Sequence, residues 1–199
     1  MLKQLAIFTF IIHLGPTIFA FQDINESAEI LTTEKYQFGV TPQLAGGGNV
    51  GFFLDAPINE NTSSRFLIST GDIDFNFFAS AKYVPFPDFE KQPAMGIRGG
   101  VGFARENRSN IPYIEIAPLI SKKTSTQWGP MTPYVAVPLH YNITKEDNYF
   151  SSSMAIGVEV YSDQFQGMHY GGEIGLSLSN TESYLSAFVT FPFDAKKGF

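Results

Sequence analysis

The sequence has no cysteine, a single tryptophan, and charged residues at only 16% of positions. Without cysteine, an exported chain can have neither a disulfide framework nor a lipid-modified cysteine. The formal net charge of −6 argues against nucleic acid as a partner. The apolar stretch at residues 5–14 is the longest, and it is shorter than the ~20 residues that a helix needs to cross a bilayer.

Motifs of the common enzyme classes are also missing. There is no Gly-x-Ser-x-Gly elbow, no His-Glu-x-x-His zinc motif and no phosphate-binding Walker loop. Besides His13 near the N-terminus, the histidines are His140 and His169. A metal site formed by these two with Glu159 or Glu173 is one interpretation, and ordinary histidines of a polar interior are the more frequent case. The sequence therefore predicts no catalytic site, no metal and no other cofactor.

The first twenty residues have the three parts of an export signal. Lys3 provides the basic start, the apolar stretch is the core, and Ala20 is the small residue at the predicted cleavage site. The acidic and polar residues 21–35 are predicted to form a flexible segment, with an N-terminal plug as the alternative. Residues 36–193 are the predicted folded domain, and residues 194–199 are a C-terminal tail.

Apolar and polar residues alternate through most of the domain, which is typical of strands with two different faces. A turn at Gly71-Asp72 is predicted to join two of these strands. The glycine run at 46–48 is predicted to separate the first two strands, because consecutive glycines disfavour a strand interior. The alternative is an eight-stranded barrel in which Tyr36–Ile58 is one long strand. The ten predicted strands are Tyr36–Ala45, Asn49–Pro57, Ser64–Thr70, Ile73–Val84, Ala94–Ala104, Pro112–Lys122, Met131–Ile143, Phe150–Tyr161, Met168–Leu178 and Tyr184–Phe193.

Ten two-faced antiparallel strands with short connections predict an all-β protein, a closed transmembrane β-barrel. Lipid would cover the apolar faces, and the polar faces would line the lumen. Opposite charges in the lumen are expected to pair, because a lone buried charge is costly. Paired charges would hold a narrow lumen shut, and a conducting pore is the alternative. The predicted lumen residues with charged or titratable side chains are Asp55, Arg65, Asp74, Lys82, Arg98, Glu115, His140, Glu159, His169 and Glu173.

In its export signal, its alternating pattern, its lack of cysteine and its closing strand, the chain resembles small outer-membrane β-barrel proteins of Gram-negative bacteria. The resemblance covers roughly residues 36–193. Members of that group often end in a signature that the barrel-insertion machinery reads. Ser186, Phe191 and Phe193 match that signature, whereas Phe188 stands where glycine is usual.

The resemblance implies a monomeric outer-membrane protein, structural or weakly conducting, with no catalytic activity. Its implied partners are outer-membrane lipid and, during assembly, the insertion machinery. Residues 21–35 and both termini would then lie on the periplasmic side. The alternative is a soluble secreted barrel, similar to a lipocalin, that binds a small apolar ligand, because alternation does not reveal which face points inward.

Overall fold

The structure is a single antiparallel sheet closed on itself. It is a computed structural model that describes residues 23–127, 129–162 and 167–194, so the predicted export signal lies outside the described residues. Within these ranges, no helix is long and apolar enough to cross a membrane. The strands are β1 (Lys35–Ala45), β2 (Val50–Asn59), β3 (Thr62–Thr70), β4 (Phe75–Phe86), β5 (Ala94–Glu106), β6 (Ser109–Ser121), β7 (Thr124–Thr126), β8 (Gly129–Ala136), β9 (Leu139–Asn142), β10 (Tyr149–Ser162), β11 (Met168–Ser179) and β12 (Tyr184–Asp194).

Ten strand positions make up the closed wall. The strands β8 and β9 together occupy one position between β6 and β10, and the short β7 continues β6 alongside β8. The circle is closed where β1 pairs with β12, with Lys35 opposite Asp194. This confirms the predicted ten-strand antiparallel barrel with short connections. The eight-strand alternative is wrong, since β1 ends at Ala45 and β2 begins at Val50, on either side of the glycine run.

The strand predicted over Met131–Ile143 is interrupted between β8 and β9. Pro138 lies at the interruption and has no N–H group to donate to a neighbouring strand. Backbone bonds still cross the gap on both sides: Val137 N–H donates to the carbonyl of Pro118 at 3.1 Å, and Ser153 N–H donates to that of Pro138 at 3.3 Å. The wall therefore remains continuous there.

The predicted two-residue turn at Gly71-Asp72 is wrong, because the connection from β3 to β4 spans residues 71–74. Gly71 has a φ of +147° there, which favours glycine. Within this loop Ile73 is fully buried, and its N–H donates to the side chain of Asn49 at 3.1 Å. Asp74 is exposed, so its predicted lumen position is also wrong. Burial of the apolar Ile73 side chain turns the adjacent carboxylate outward.

The two faces of the wall differ sharply in chemistry. Large apolar side chains point outward and are exposed from every side of the barrel, among them Leu54, Phe66 and Ile174. Among outward positions of the described strands, a charge is present only at Arg105, near the end of β5. The inward face holds the buried charged and polar side chains. The barrel is therefore apolar outside and polar inside.

Aromatic rings inside the barrel lie against glycines of the neighbouring strand. A Cβ atom on Gly157 would be 2.2 Å from Cζ of Tyr134, and one on Gly102 would be 2.0 Å from Cζ of Tyr113. Such separations are far below van der Waals contact, so these positions require glycine. The inward rings that lie against glycine in this way are Phe53, Phe78, Tyr113, Tyr134, Tyr184 and Phe188.

Candidate functional site in the barrel lumen

Five charged wall residues form one layer across the lumen, called here the charged layer: Asp55, Arg65, Lys82, Arg98 and Glu115. Each of these residues is at most 7% exposed. The strand register brings them together, because Asp55 pairs with Arg65 and Lys82 pairs with Arg98 on neighbouring strands. Three cations and two carboxylates leave the layer with an excess of one positive charge.

A wall carboxylate orients each arginine of the charged layer. Arg65 donates from Nε and Nη2 to the two oxygens of Asp55, at 2.6 and 2.8 Å. Arg98 donates in the same way to Glu115, at 2.7 and 2.9 Å. Paired contacts of this kind fix the plane of a guanidinium group. The remaining nitrogen of each arginine, Nη1, is thereby left to bond groups within the lumen.

Aromatic rings support both guanidinium groups. The Cζ atom of Arg65 lies 4.1 Å from the ring centre of Phe53, and that of Arg98 lies 5.3 Å from the ring centre of Phe78. Cation–π attraction favours this placement. The two rings belong to an apolar layer that fills the lumen on the side of loop 71–74. Its members are Phe53, Leu67, Ile73, Phe78, Ala104, Ile111 and Tyr113.

Residues 23–31, called here the plug segment, run inside the barrel. A turn in which Lys35 N–H donates to the Thr32 carbonyl at 3.0 Å connects this segment to the start of β1. Residues 23–28 are buried, with at most 7% exposure. The structure thus differs from the flexible segment predicted over 21–35, and the described residues take the plug placement that was the alternative. Polar partners within the lumen account for this burial.

The carboxylate of Glu26 lies among the three cations of the charged layer. Its Oε1 is 3.1 Å from Nη1 of Arg98, and its Oε2 is 3.1 Å from Nζ of Lys82. Nη2 of Arg65 is 3.8 Å from the same Oε2. The backbone carbonyl of Ile24 accepts from Nη1 of Arg65 at 2.9 Å and from Nη1 of Arg98 at 3.2 Å. The Glu26 carboxylate of the plug segment thereby neutralises the excess positive charge of the charged layer.

The opposite wall binds the backbone of the same segment through Glu173. Its carboxylate accepts the N–H groups of Ile24 and Asn25, at 2.9 and 2.8 Å. It also accepts the hydroxyl groups of Tyr134 and Tyr184, each at 2.7 Å. Four donors satisfy a carboxylate that is 1% exposed. The lumen therefore contacts both the carbonyl and the amide groups of the plug segment.

The two buried acids of the plug segment have opposite electrostatic surroundings. Burial alone would raise the pKa of Glu26, but Arg65, Lys82 and Arg98 outweigh it and lower that pKa to about 2. Burial, reinforced by the nearby Glu173 carboxylate, raises the pKa of Asp23 to about 7. Glu26 is thus held as a carboxylate, whereas Asp23 favours the protonated form in mildly acidic solution.

A cavity of about 530 Å³ lies between the plug segment and the end of the barrel at which β1 starts. Glu159 and His169 contribute to its lining, together with Lys82. Oε1 of Glu159 is 3.0 Å from Nδ1 of His169, and Oε2 accepts the Ser27 hydroxyl at 2.7 Å. The cavity gives the charged layer a path towards solvent from one side.

The structure brings together most of the predicted lumen residues. His140 joins the charged layer, with its Nε2 3.0 Å from Oε2 of Glu115. Glu159 and His169 form a second pair, and Glu173 binds the plug segment away from both groups. The predicted contact between Arg98 and Glu115 is present. Asp74 is outside the lumen, as described above.

Sequence reasoning did not identify Glu26 and Asp23 as lumen residues, because residues 21–35 show no strand alternation. One signal was available, since the predicted lumen wall contains Lys82 without an assigned carboxylate. Among the described residues, the ion-pair partner of Lys82 is Glu26. A buried cation needs a partner, and a residue from outside the wall can supply it.

The sequence matches no protein-family model and no curated protein. In the described ranges, no cluster of three or more His, Cys, Asp or Glu side chains is arranged to hold a metal ion. The function of the chain must therefore be inferred from the geometry of the barrel and its lumen.

Proposed function

We propose that the chain is a small outer-membrane β-barrel protein whose lumen is closed by its own N-terminal segment. Its role is structural, with no catalytic activity. The observation that carries this proposal is the outer face, which is apolar around the whole circumference and almost free of charge. A soluble protein rarely exposes an apolar patch larger than a few hundred Å², whereas lipid solvates such a surface.

The inner face supports the same proposal over a lipocalin-like barrel. A site for an apolar ligand needs a largely apolar cavity. Here the cavity beside the plug segment is lined by Lys82, Glu159 and His169, and the apolar layer is packed by its own side chains. An apolar ligand would displace solvated charges without replacing their partners.

The plug segment supports a closed lumen over a conducting pore. Glu26 and Ile24 bond to the charged layer in the middle of the barrel, and the apolar layer fills the space beyond. We expect reconstituted protein to show no steady ion conductance in planar bilayers. An even number of strands returns the chain to its starting side, so the start of β1 and the end of β12 would both face the periplasm.

Fractionation of cells that express the full-length protein tests the location. We expect the folded barrel to sediment with outer membranes, to resist extraction by salt and alkaline buffer, and to be released by detergent. Recovery of folded protein from the aqueous periplasmic fraction without detergent would refute the membrane proposal and favour the soluble barrel. Insertion through the Ser186, Phe191 and Phe193 signature stays a prediction.

A further inference from the structure

The two arginines around Glu26 are oriented by the barrel wall, whereas Lys82 also donates to the plug segment, at the Ser27 carbonyl, at 2.7 Å. Asp55 and Glu115 hold the two arginines through paired contacts. The rings of Phe53 and Phe78 lie against the two guanidinium groups. Lys82 extends from β4 towards the Glu26 carboxylate, with its Nζ 3.1 Å from Oε2. Two of the three donors around the Glu26 carboxylate are therefore oriented by the wall, and preorganised donors bind an anion at low entropic cost.

The charge and shape of this donor set fit one carboxylate. Arg98 bonds one oxygen of Glu26, whereas Lys82 and Arg65 are both close to the other. The wall residues of the layer carry one more positive than negative charge, which a monoanion neutralises. A doubly charged phosphate would leave an excess of negative charge in a buried layer, and buried excess charge is costly.

We propose that the charged layer is a binding site for small organic carboxylates, and that Glu26 is its resident occupant, supplied by the chain itself. The neighbouring cavity of about 530 Å³ touches Lys82, Arg65 and Glu26, so a small acid has space to reach the site. This inference does not depend on the location of the barrel, and its test can fail independently of the fractionation experiment.

Replacement of Glu26 by alanine, followed by addition of acetate, tests the site directly. Glu26→Ala deletes a methylene and a carboxylate, and acetate supplies the same group as a free molecule. We expect the purified, detergent-solubilised variant to have a lower Tm than the wild type in chloride. Acetate should then raise its Tm in a saturable manner and recover about half of the loss, because a ligand that binds the folded state stabilises it.

Four controls separate site binding from general salt effects. Chloride at equal ionic strength and neutral acetamide should leave the Tm of Glu26→Ala unchanged. In the double variant Glu26→Ala/Lys82→Met, the response to acetate should be lost. Glu29→Ala removes a carboxylate of the same segment that lies outside the three-cation contact, and acetate should not restore its Tm.

Equal effects of acetate and chloride on Glu26→Ala would overturn the proposal, as would a response that survives the loss of Lys82. If the variant does not refold in chloride, the yield of folded barrel replaces Tm as the measurement, and acetate should increase it. Glu26→Gln keeps the size of the side chain and serves as the folding control. Failure of Glu26→Ala to fold in acetate, where Glu26→Gln folds, would also contradict the proposal.

Discussion

The inner and outer faces of the same strands follow opposite rules for charge. On β5, Arg98 points inward, is 1% exposed and bonds Glu115 and Glu26. Its neighbours Ile97 and Val101 point outward and are exposed. Side chains buried inside this barrel therefore include paired charges, and side chains exposed on its outside are apolar. This distribution is the reverse of that in a water-soluble protein.

Loss of an inward charge is expected to have the largest effect. Arg98→Ala leaves Glu115 buried without its arginine and removes one of the three cations around Glu26, and an uncompensated buried charge costs about 3–5 kcal/mol. The free energy of unfolding in detergent, measured with denaturant, should fall by this amount. The double variant Arg98→Ala/Glu115→Ala should recover part of the loss. Simple addition of the two single losses would contradict the ion-pair assignment.

Gain of an outward charge is expected to have the next largest effect. Ile156 is exposed near the middle of β10, and Ile156→Arg should cost about 2–4 kcal/mol in a bilayer if this position is near the midplane. The measurement is reversible unfolding from lipid vesicles. Leu178→Arg, near the end of β11, is the matched control and should cost about 0–1 kcal/mol. Equal, negligible costs would argue that water covers this face.

Two glycines give a direct comparison of steric space on the two faces. Gly157→Ala would place Cβ 2.2 Å from the Tyr134 ring. That ring cannot shift easily because its hydroxyl bonds Glu173 at 2.7 Å, so we expect a loss of about 1–3 kcal/mol. At Gly99 the nearest atom to an added Cβ is the Glu115 carbonyl oxygen, 4.0 Å away. Thermal unfolding should show little change for Gly99→Ala, and similar losses at both positions would contradict this comparison.

The pH dependence of stability separates Asp23 from Glu26, the two buried acids of the plug segment. Folding raises the pKa of Asp23 from 3.8 to about 7. The folded state therefore keeps a proton that the unfolded chain releases, and stability falls as pH rises through this window. Glu26, whose pKa is lowered from 4.5 to about 2, contributes stability above 4.5 that is lost only as pH falls towards 2.

Between pH 5 and 7, the titration of Asp23 should thus dominate the difference in free energy of unfolding between the wild type and Asp23→Asn. We expect the wild type to lose stability relative to this variant by up to about 1.4 kcal/mol for each pH unit. Denaturant unfolding at matched ionic strength measures the difference. A difference that is independent of pH, or that grows in favour of the wild type, would contradict a buried, protonated Asp23.

The fold was predictable from the sequence because alternation has a period of two and survives errors in turn length. The β3–β4 turn illustrates this. The predicted two-residue turn at Gly71-Asp72 would pair Thr70 with Ile73, whereas the structure pairs Ser69 with Asn76, yet Phe75 and Phe77 still point outward. A register shift of two residues keeps every side chain of a strand on its face. Asp74 was misplaced because it lies in the loop, where alternation does not apply.

The plug segment was not predictable by the same means. Residues 23–31 have no regular secondary structure, and side chains and backbone hold the segment through individual contacts with distant strands. Glu26 meets Arg98 across 72 positions of the chain, and Ile24 meets Glu173 across 149. Contacts of this kind leave no periodic pattern. Only Lys82, which had no assigned partner in the predicted lumen, indicated that a further group was needed.

The buried position of Asp23 has a practical consequence for work with this protein. Asp23 lies inside the barrel, since it is 6% exposed and its side chain contacts Asn25 and Thr41. An affinity tag fused shortly before this position would have to fit within the lumen or pull the segment out of it. Asp194, at the end of β12, lies at the rim beside Lys35. Tags and spectroscopic labels belong after that end of the chain.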